Sequence, residues 1–302
     1  MSVATLDSLL TADEMVALDL LDMEIEIGRH LLSPEQHLIQ QHKALGLGLT
    51  PDVVAAFAAV HMATDSGVPI VPAAHHALWL QLMCDPAINR LLIVGTPESA
   101  KTTWALAYAA CHIGFWPERS VIIAAVSGSV AEKRGLALRN IIESAAFAQT
   151  FPSVRPAAGM PWTATEWSVA ENGRPHAGRL HPTVAAYGTG GSIGGSRAYL
   201  VIADDILDDD NTRTQHQRNV VDAWFHKMLL SRLVARDGRA IVINNAYHHA
   251  DIVSQLRQSE AWVTCAIPLL TEGPAVVAHL TYPDDYVGRP IGQPVGAAEV
   301  VA

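Results

Sequence analysis

The chain has 302 residues, half of them apolar and 17% charged, enough to bury a sizeable core and unlike the composition of a disordered chain. Thirty acidic against 20 basic side chains leave a formal net charge of -10, so the surface as a whole repels polyanions, although a local basic lining is compatible with an acidic exterior. No run of 18 uncharged apolar residues is present, and the start lacks the basic segment and continuous apolar stretch of a secretory signal, so a cytosolic protein without a membrane contact is expected.

In residues 5 to 31, Val16, Leu20, Met23 and Ile27 recur at helical intervals, which predicts a small N-terminal helical region over 1–60. A short helix is expected from about 74 to 84, with Leu78, Trp79 and Leu82 turned inward. From residue 91 the rhythm changes. Short apolar runs at 91 to 94, 121 to 126, 199 to 203, 240 to 244 and 262 to 267 alternate with helical stretches, the pattern of a mainly parallel sheet flanked by helices on both faces. An α/β domain over 61–270 follows. Proline and glycine thicken between 152 and 198, which reads as an insertion carrying short antiparallel strands and ending in the loop GTGGSIGGSR; residues 271–302 read as a linker-like tail.

Cys84, Cys111 and Cys265 fit no metal or redox spacing and are read as buried thiols. The pairs His75/His76 and His248/His249 place neighbours on different faces with no third ligand beside them, so metal binding there is not expected. Arg213, Arg218, Lys227, Arg232, Arg236 and Arg239 make a local basic excess, partly offset by Asp222 and Asp237.

The chemistry concentrates in three strand ends. The first is GTPESAKTT, comprising Gly95, Thr96, Pro97, Glu98, Ser99, Ala100, Lys101, Thr102 and Thr103, directly after an apolar strand. Phosphate binding requires converging backbone N–H groups at a helix start, an amine for the terminal phosphates and a hydroxyl for magnesium. Gly95, Lys101 and Thr102 have that spacing, as in a Walker A loop. Ala100 stands where a second glycine is usual, and would cost roughly 1 kcal/mol if the backbone there were left-handed. The rival reading is an ordinary strand-turn-helix junction. The second is YLVIADDILDDD, which puts Asp204 and Asp205 at a strand's carboxyl end. Asp204 suits magnesium and Asp205 suits orienting an attacking water, against the alternative of solvated loop acids. The third, AIVINNAYHH, ends in Asn244 and Asn245, which suit either sensing a γ-phosphate or capping the backbone. Arg134 and Arg139 are candidates to compensate transition-state charge, in their own or a neighbouring subunit, or else helix-surface arginines. Arg197 borders the glycine-rich loop.

Taken together, GTPESAKTT, VIIAAVSGSVAEKRGLALRNII, GTGGSIGGSRAYLVIADDILDD, RNVVDAWFHKMLLSRL and AIVINNAYHHADIV resemble the ATPase domain of tailed-bacteriophage and prophage terminase large subunits, over about residues 60 to 270. The resemblance implies an ASCE-type P-loop NTPase that uses ATP and Mg2+ to drive double-stranded DNA into a procapsid. It further implies work in the bacterial host cytoplasm, docked on the portal protein, with a terminase small subunit and as a homo-oligomeric, usually pentameric, ring. Lys101 and Thr102 match the family's phosphate-loop lysine and hydroxyl, Asp204 its magnesium acid, Asp205 its catalytic acid, and Asn245 its coupling region. There Ala246 and Tyr247 stand in place of Arg-Trp. The family's trans-acting arginine falls in the helix of Arg134 and Arg139, with Arg139 the preferred one. The family's usual RNase H-like nuclease domain is not expected within these 302 residues, nor is nuclease activity. Two alternatives stay open: a catalytically weak docking module of the packaging machine, and another nucleic-acid ATPase of the helicase class.

Overall fold

The computed structural model describes residues 32–245, 247–267 and 279–281. The helical spacing read over 5 to 31, residue Ala246 and most of the 271–302 tail lie outside the described residues.

Two capped helices open the described chain, Pro34–Ala44 (α1) and Pro51–His61 (α2). Each has proline in its first turn, where the missing N–H is no loss. Ser33 and Gln36 exchange side-chain hydrogen bonds with each other's backbone N–H, and Thr50 caps Val53. Ile39, Val53, Val54 and Phe57 are buried in the same apolar cluster as Leu91, Trp104 and Ile123. The described part of the N-terminal helical region is therefore continuous with the main core. Ala74–Cys84 (α3) follows, with Leu78, Trp79 and Leu82 buried as their periodicity predicts.

Among the described residues the centre is an eight-stranded sheet. Its strands are Arg90–Val94 (β1), Val121–Ala125 (β2), Glu166–Trp167 (β4), Val184–Gly188 (β6), Leu200–Asp204 (β7), Arg239–Ile243 (β8), Val263–Ala266 (β9) and His279–Thr281 (β10). Val154–Pro156 (β3) and Val169–Glu171 (β5) form a separate two-stranded ribbon. The sheet order is β10-β9-β1-β8-β7-β2-β6-β4, and the six inner strands are parallel. Alternation along the strands divides the core in two. Leu91, Ile93, Ile123, Ile202 and Ile241 face the cluster under α1 to α3, while Leu92, Ile122, Val201, Ala203 and Val242 face Trp224, Phe225 and Trp262. Both faces are covered, which explains why these strands read as unbroken apolar runs.

Helices Lys101–Phe115 (α4), Gly128–Glu143 (α5) and Ala145–Thr150 (α6) connect the first half of the sheet. After β7 come the short Asp209–Thr212 (α7), Gln215–Trp224 (α8), which passes into a wider turn at Phe225–Leu229, and Ile252–Gln258 (α9). The 152–198 segment differs from its expected form in one respect. HPTVAAYG does pair antiparallel with β4, but on its other side it joins β2 in parallel, so the segment extends the main sheet instead of standing apart. β6 carries the burial pattern of a core strand, and its short length between prolines and glycines hid that. Among the described residues no helix is long and apolar enough to cross a membrane.

Cys111 and Cys265 are buried and Cys84 half-buried, all free, and burial pushes the Cys84 and Cys265 thiols up to about 12. His112, buried near the end of α4 with Arg119 and Arg239 nearby, is held down to about 3, chiefly by desolvation. Burial holds His61 to about 4. Because these folded-state values lie below the ordinary 6.5, the unfolded chain binds more protons as the pH falls through 6.5. The stabilisation is complete above 6.5 and is lost toward the folded values. Acidification from pH 8 to pH 5 is expected to cost about 2 kcal/mol through His112 alone. Urea denaturation across that range should show the loss, and His112→Gln should flatten its slope.

Candidate nucleotide site

Parallel strands send all their carboxyl ends to one edge, and there the three sequence signals meet. Residues 95–100 turn from β1 into α4. Glu98 and Ala100 both have left-handed backbones, Ala100 at φ 58°. The missing glycine is thus at a position that a glycine would occupy without strain, and the alanine carries the penalty of roughly 1 kcal/mol. Among the described residues no side chain caps the N-terminus of α4, and its first turn holds no acid. Its leading N–H groups and dipole are consequently available to an anion. Lys101 is buried, with Nζ donating to the Gly95 carbonyl at 3.0 Å and to the Thr96 carbonyl. Burial lowers its pKa, while Asp205 and Asp204 draw it back up.

Asp204 ends β7 at 1% exposure. Arg134 of α5 reaches it from β2's side, Nε to Oδ2 at 2.5 Å, and touches Asp205 Oδ2 at 3.3 Å. The approach to Asp204 is close but poorly aligned, since both its carboxylate oxygens and Arg134 Nε lack a well-directed hydrogen bond. Desolvation raises the pKa of Asp204, against the pull of Arg134 and of the Thr102 hydroxyl. A buried, poorly hydrogen-bonded carboxylate beside a threonine hydroxyl offers hard oxygen donors. That donor set fits Mg2+, which takes few protein ligands and fills its shell with water and phosphate. Asp205 adopts φ 50° and is partly exposed, its N–H bound to the Ile243 carbonyl and its own carbonyl bound by Val126 N–H.

β8 lies between β1 and β7, and its end spaces the lysine loop from the acids. Asn244 there is fully buried. Its Oδ1 accepts from Ile206 and Leu207 N–H at 2.7 and 3.3 Å, and its Nδ2 donates to the Asn245 carbonyl. Backbone capping is therefore what Asn244 does, while half-buried Asn245 follows it at the same edge. The glycine-rich loop leaves β6 beside the start of α5. A Cβ on Gly188 would sit 2.3 Å from Gly128 N, so only glycine permits this approach. Trp224 fixes the loop from the other side through the Gly191 carbonyl at 2.7 Å.

The structure does not bring Arg139 to the acids. It bonds the Thr163 carbonyl at 2.9 Å, pairs with Glu143 and lies over Trp162. Five residues on a helix turn Arg139 well away from Arg134, so Arg134 is the one of the two that meets the acids within this chain. Arg197 is exposed, and the basic excess of 213 to 239 is dispersed: Arg213 pairs with Asp210, whereas Arg239 binds the Met83 and Asp85 carbonyls at the amino ends of the strands. One contact escaped the sequence reading. His76, weighed there only as a metal ligand, meets the Ser99 carbonyl of the loop at 3.0 Å. Its position on a helix upstream of β1 gave no signal of this.

No family model matches the chain, and no curated protein is similar to it in sequence. Solved structures are similar in fold. The HK97 bacteriophage large terminase superposes at a TM-score of 0.50 with 15% identity, covering 74% of this chain and 45% of its own length. The fold is shared with a large terminase. The chain thus spans less than half of that protein's length. The Thermus phage P74-26 large terminase ATPase domain aligns less closely, with 14% identity, TM-score 0.45 and coverage of 64% of this chain and 73% of that domain. The N-terminal domain of the DNA packaging ATPase from bacteriophage phi29 does so at 10% identity, TM-score 0.35 and coverage of 66% and 93%.

Two stability changes follow from the loop geometry. Ala100→Gly should raise the unfolding free energy by about 0.5 to 1 kcal/mol by removing the left-handed penalty. Gly188→Ala should cost about 2 kcal/mol or more, because the clash is with backbone. Chemical denaturation of both variants checks the opposite signs.

Proposed function

We propose that this chain is a Mg2+-dependent ATPase and the motor part of a machine that packages double-stranded DNA into a viral procapsid. The observation that supports this most directly is the convergence of Lys101, Thr102, Asp204, Asp205 and Arg134 at the uncapped start of α4, in a fold shared with a large terminase. In this reading the loop N–H groups from Gly95 to Thr103 cradle the phosphates, and Lys101 exchanges its carbonyl partners for the terminal phosphates. Thr102 and Asp204 would hold Mg2+, which when bound neutralises charge developing on the transferred phosphoryl group. Asp205, on the exposed side of the pair, orients the attacking water and polarises it. Arg134, already within reach of both acids, compensates charge from within the same chain. Asn245 stands at the coupling edge.

The resemblance of the sequence carries the rest of the proposal. The motor works as a ring, pentameric in the family, docked on a portal protein in the host cytoplasm and partnered by a terminase small subunit. The left-handed Ala100 and Glu98 favour one rival, a nucleotide-binding docking module with weak turnover, since strain in the loop opposes the phosphate-bound shape.

ATP turnover with Mg2+, measured with double-stranded DNA and rising protein concentration, separates these readings. Lys101→Ala and Asp205→Ala should each lower kcat by about 100-fold or more. Arg134→Ala should be equally impaired at every concentration. Arg139→Ala should lose only activity that depends on concentration, and only if Arg139 leaves Thr163 and Glu143 to serve a neighbour. Nucleotide binding without turnover in the unaltered chain would favour the docking module, and turnover indifferent to Lys101 and Asp205 would sink the site.

A further inference from the structure

His76 lies in the first turn of α3, within the sequence VPAAHHALW, and its two ring nitrogens face different jobs. Nδ1 is 3.0 Å from the backbone N of Ala73, which can only donate. Nδ1 is therefore the acceptor, the ring proton sits on Nε2, and Nε2–H donates to the Ser99 carbonyl at 3.0 Å. Such a relay exists only for the neutral ring. Burial against Trp79 and Trp104, with ring centroids 5.4 and 5.3 Å away, holds the pKa down to about 4, so the neutral form prevails at physiological pH.

Ser99 is flanked by the two left-handed residues of the loop, Glu98 and Ala100. The Ser99–Ala100 peptide is trans, so its N–H points opposite to its carbonyl. Holding the carbonyl toward α3 turns the Ala100 N–H to the other side, away from His76. Trp79, from the same helix, supports the loop's first residue, its ring lying 3.4 Å from where a Gly95 Cβ would stand.

We propose that His76 is a positioning residue for the phosphate loop: through its Nε2–H it fixes the plane of the Ser99–Ala100 peptide and so keeps a strained loop in its anion-accepting shape. This rests on the nucleotide-site reading above. It also accounts for the tolerance of alanine at position 100, because an outside donor supplies the restraint that keeps an unfavourable backbone angle in place.

Three substitutions separate this role from simple helix capping. His76→Ala removes both hydrogen bonds. His76→Glu can still accept from the Ala73 N–H but cannot donate to Ser99, and His76→Gln can accept and donate. Amide hydrogen exchange of residues 95 to 102 in the nucleotide-free protein reads the loop directly, and binding of a fluorescent ATP analogue with Mg2+ reads its consequence. Loss of one such hydrogen bond should accelerate exchange and weaken binding by about fivefold in His76→Ala and His76→Glu, with His76→Gln within about twofold of the unaltered chain. Equal behaviour of the Glu and Gln variants in exchange, or an unchanged loop in His76→Ala, would overturn the proposal. If the unaltered chain binds the analogue no better than Lys101→Ala, the nucleotide reading fails, and exchange still decides whether His76 holds the loop. Thermal melts confirm that each variant is folded before it is compared.

Discussion

Everything at the candidate site depends on a parallel sheet buried on both faces. Such a sheet cannot turn back on itself with hairpins; each strand must be followed by a crossover, and every strand then ends at the same edge. That requirement brings Lys101, Arg134, Asp204 and Asn244, which are far apart in sequence, within a few side-chain lengths of one another. The apolar character of β1, β2, β7 and β8 is thus the physical origin of this juxtaposition of polar groups, although none of those apolar residues belongs to it.

Within the edge, unfavourable charge placement and its compensation are closely coupled. Asp204 is buried and would be costly as an anion without a cation beside it. Arg134 meets that need imperfectly, with a short but misaligned contact, and Lys101 lies close enough for the acids to act on its titration. A fully satisfied carboxylate would have little to offer a metal ion. One that is desolvated and poorly hydrogen-bonded keeps lone pairs free for a further partner.

The loop shows the complementary principle. Glu98 and Ala100 hold left-handed backbones without glycine's freedom, and the restraint comes from outside, through His76 and through Lys101's bonds to the loop's own carbonyls. Strain of about 1 kcal/mol per residue persists only where surrounding contacts over-determine it.

The sequence by itself determined the strands, because a segment buried on both faces must be apolar throughout, and it marked the strand ends, because lysine, hydroxyl and paired acids break those apolar runs there. Gly95, Lys101, Thr102, Asp204 and Asp205 follow or close β1 and β7 in the structure, at the ends where the sequence put them. Residue type alone did not separate Arg134 from Arg139, and the resemblance preferred Arg139, since both lie on one helix and only the helix's rotation against β2 and β6 aims Arg134 at the acids and Arg139 at Trp162. The sequence left Asn244 open between sensing and capping until the segment after the neighbouring strand supplied the Ile206 and Leu207 N–H groups. Spatial strand order was equally hidden: β8 follows the acids in the chain yet lies between them and the lysine loop, an arrangement that crossover packing alone decides. His76 was invisible for the same reason, because its partner is a backbone carbonyl, and a backbone group that any residue possesses leaves no mark in a sequence.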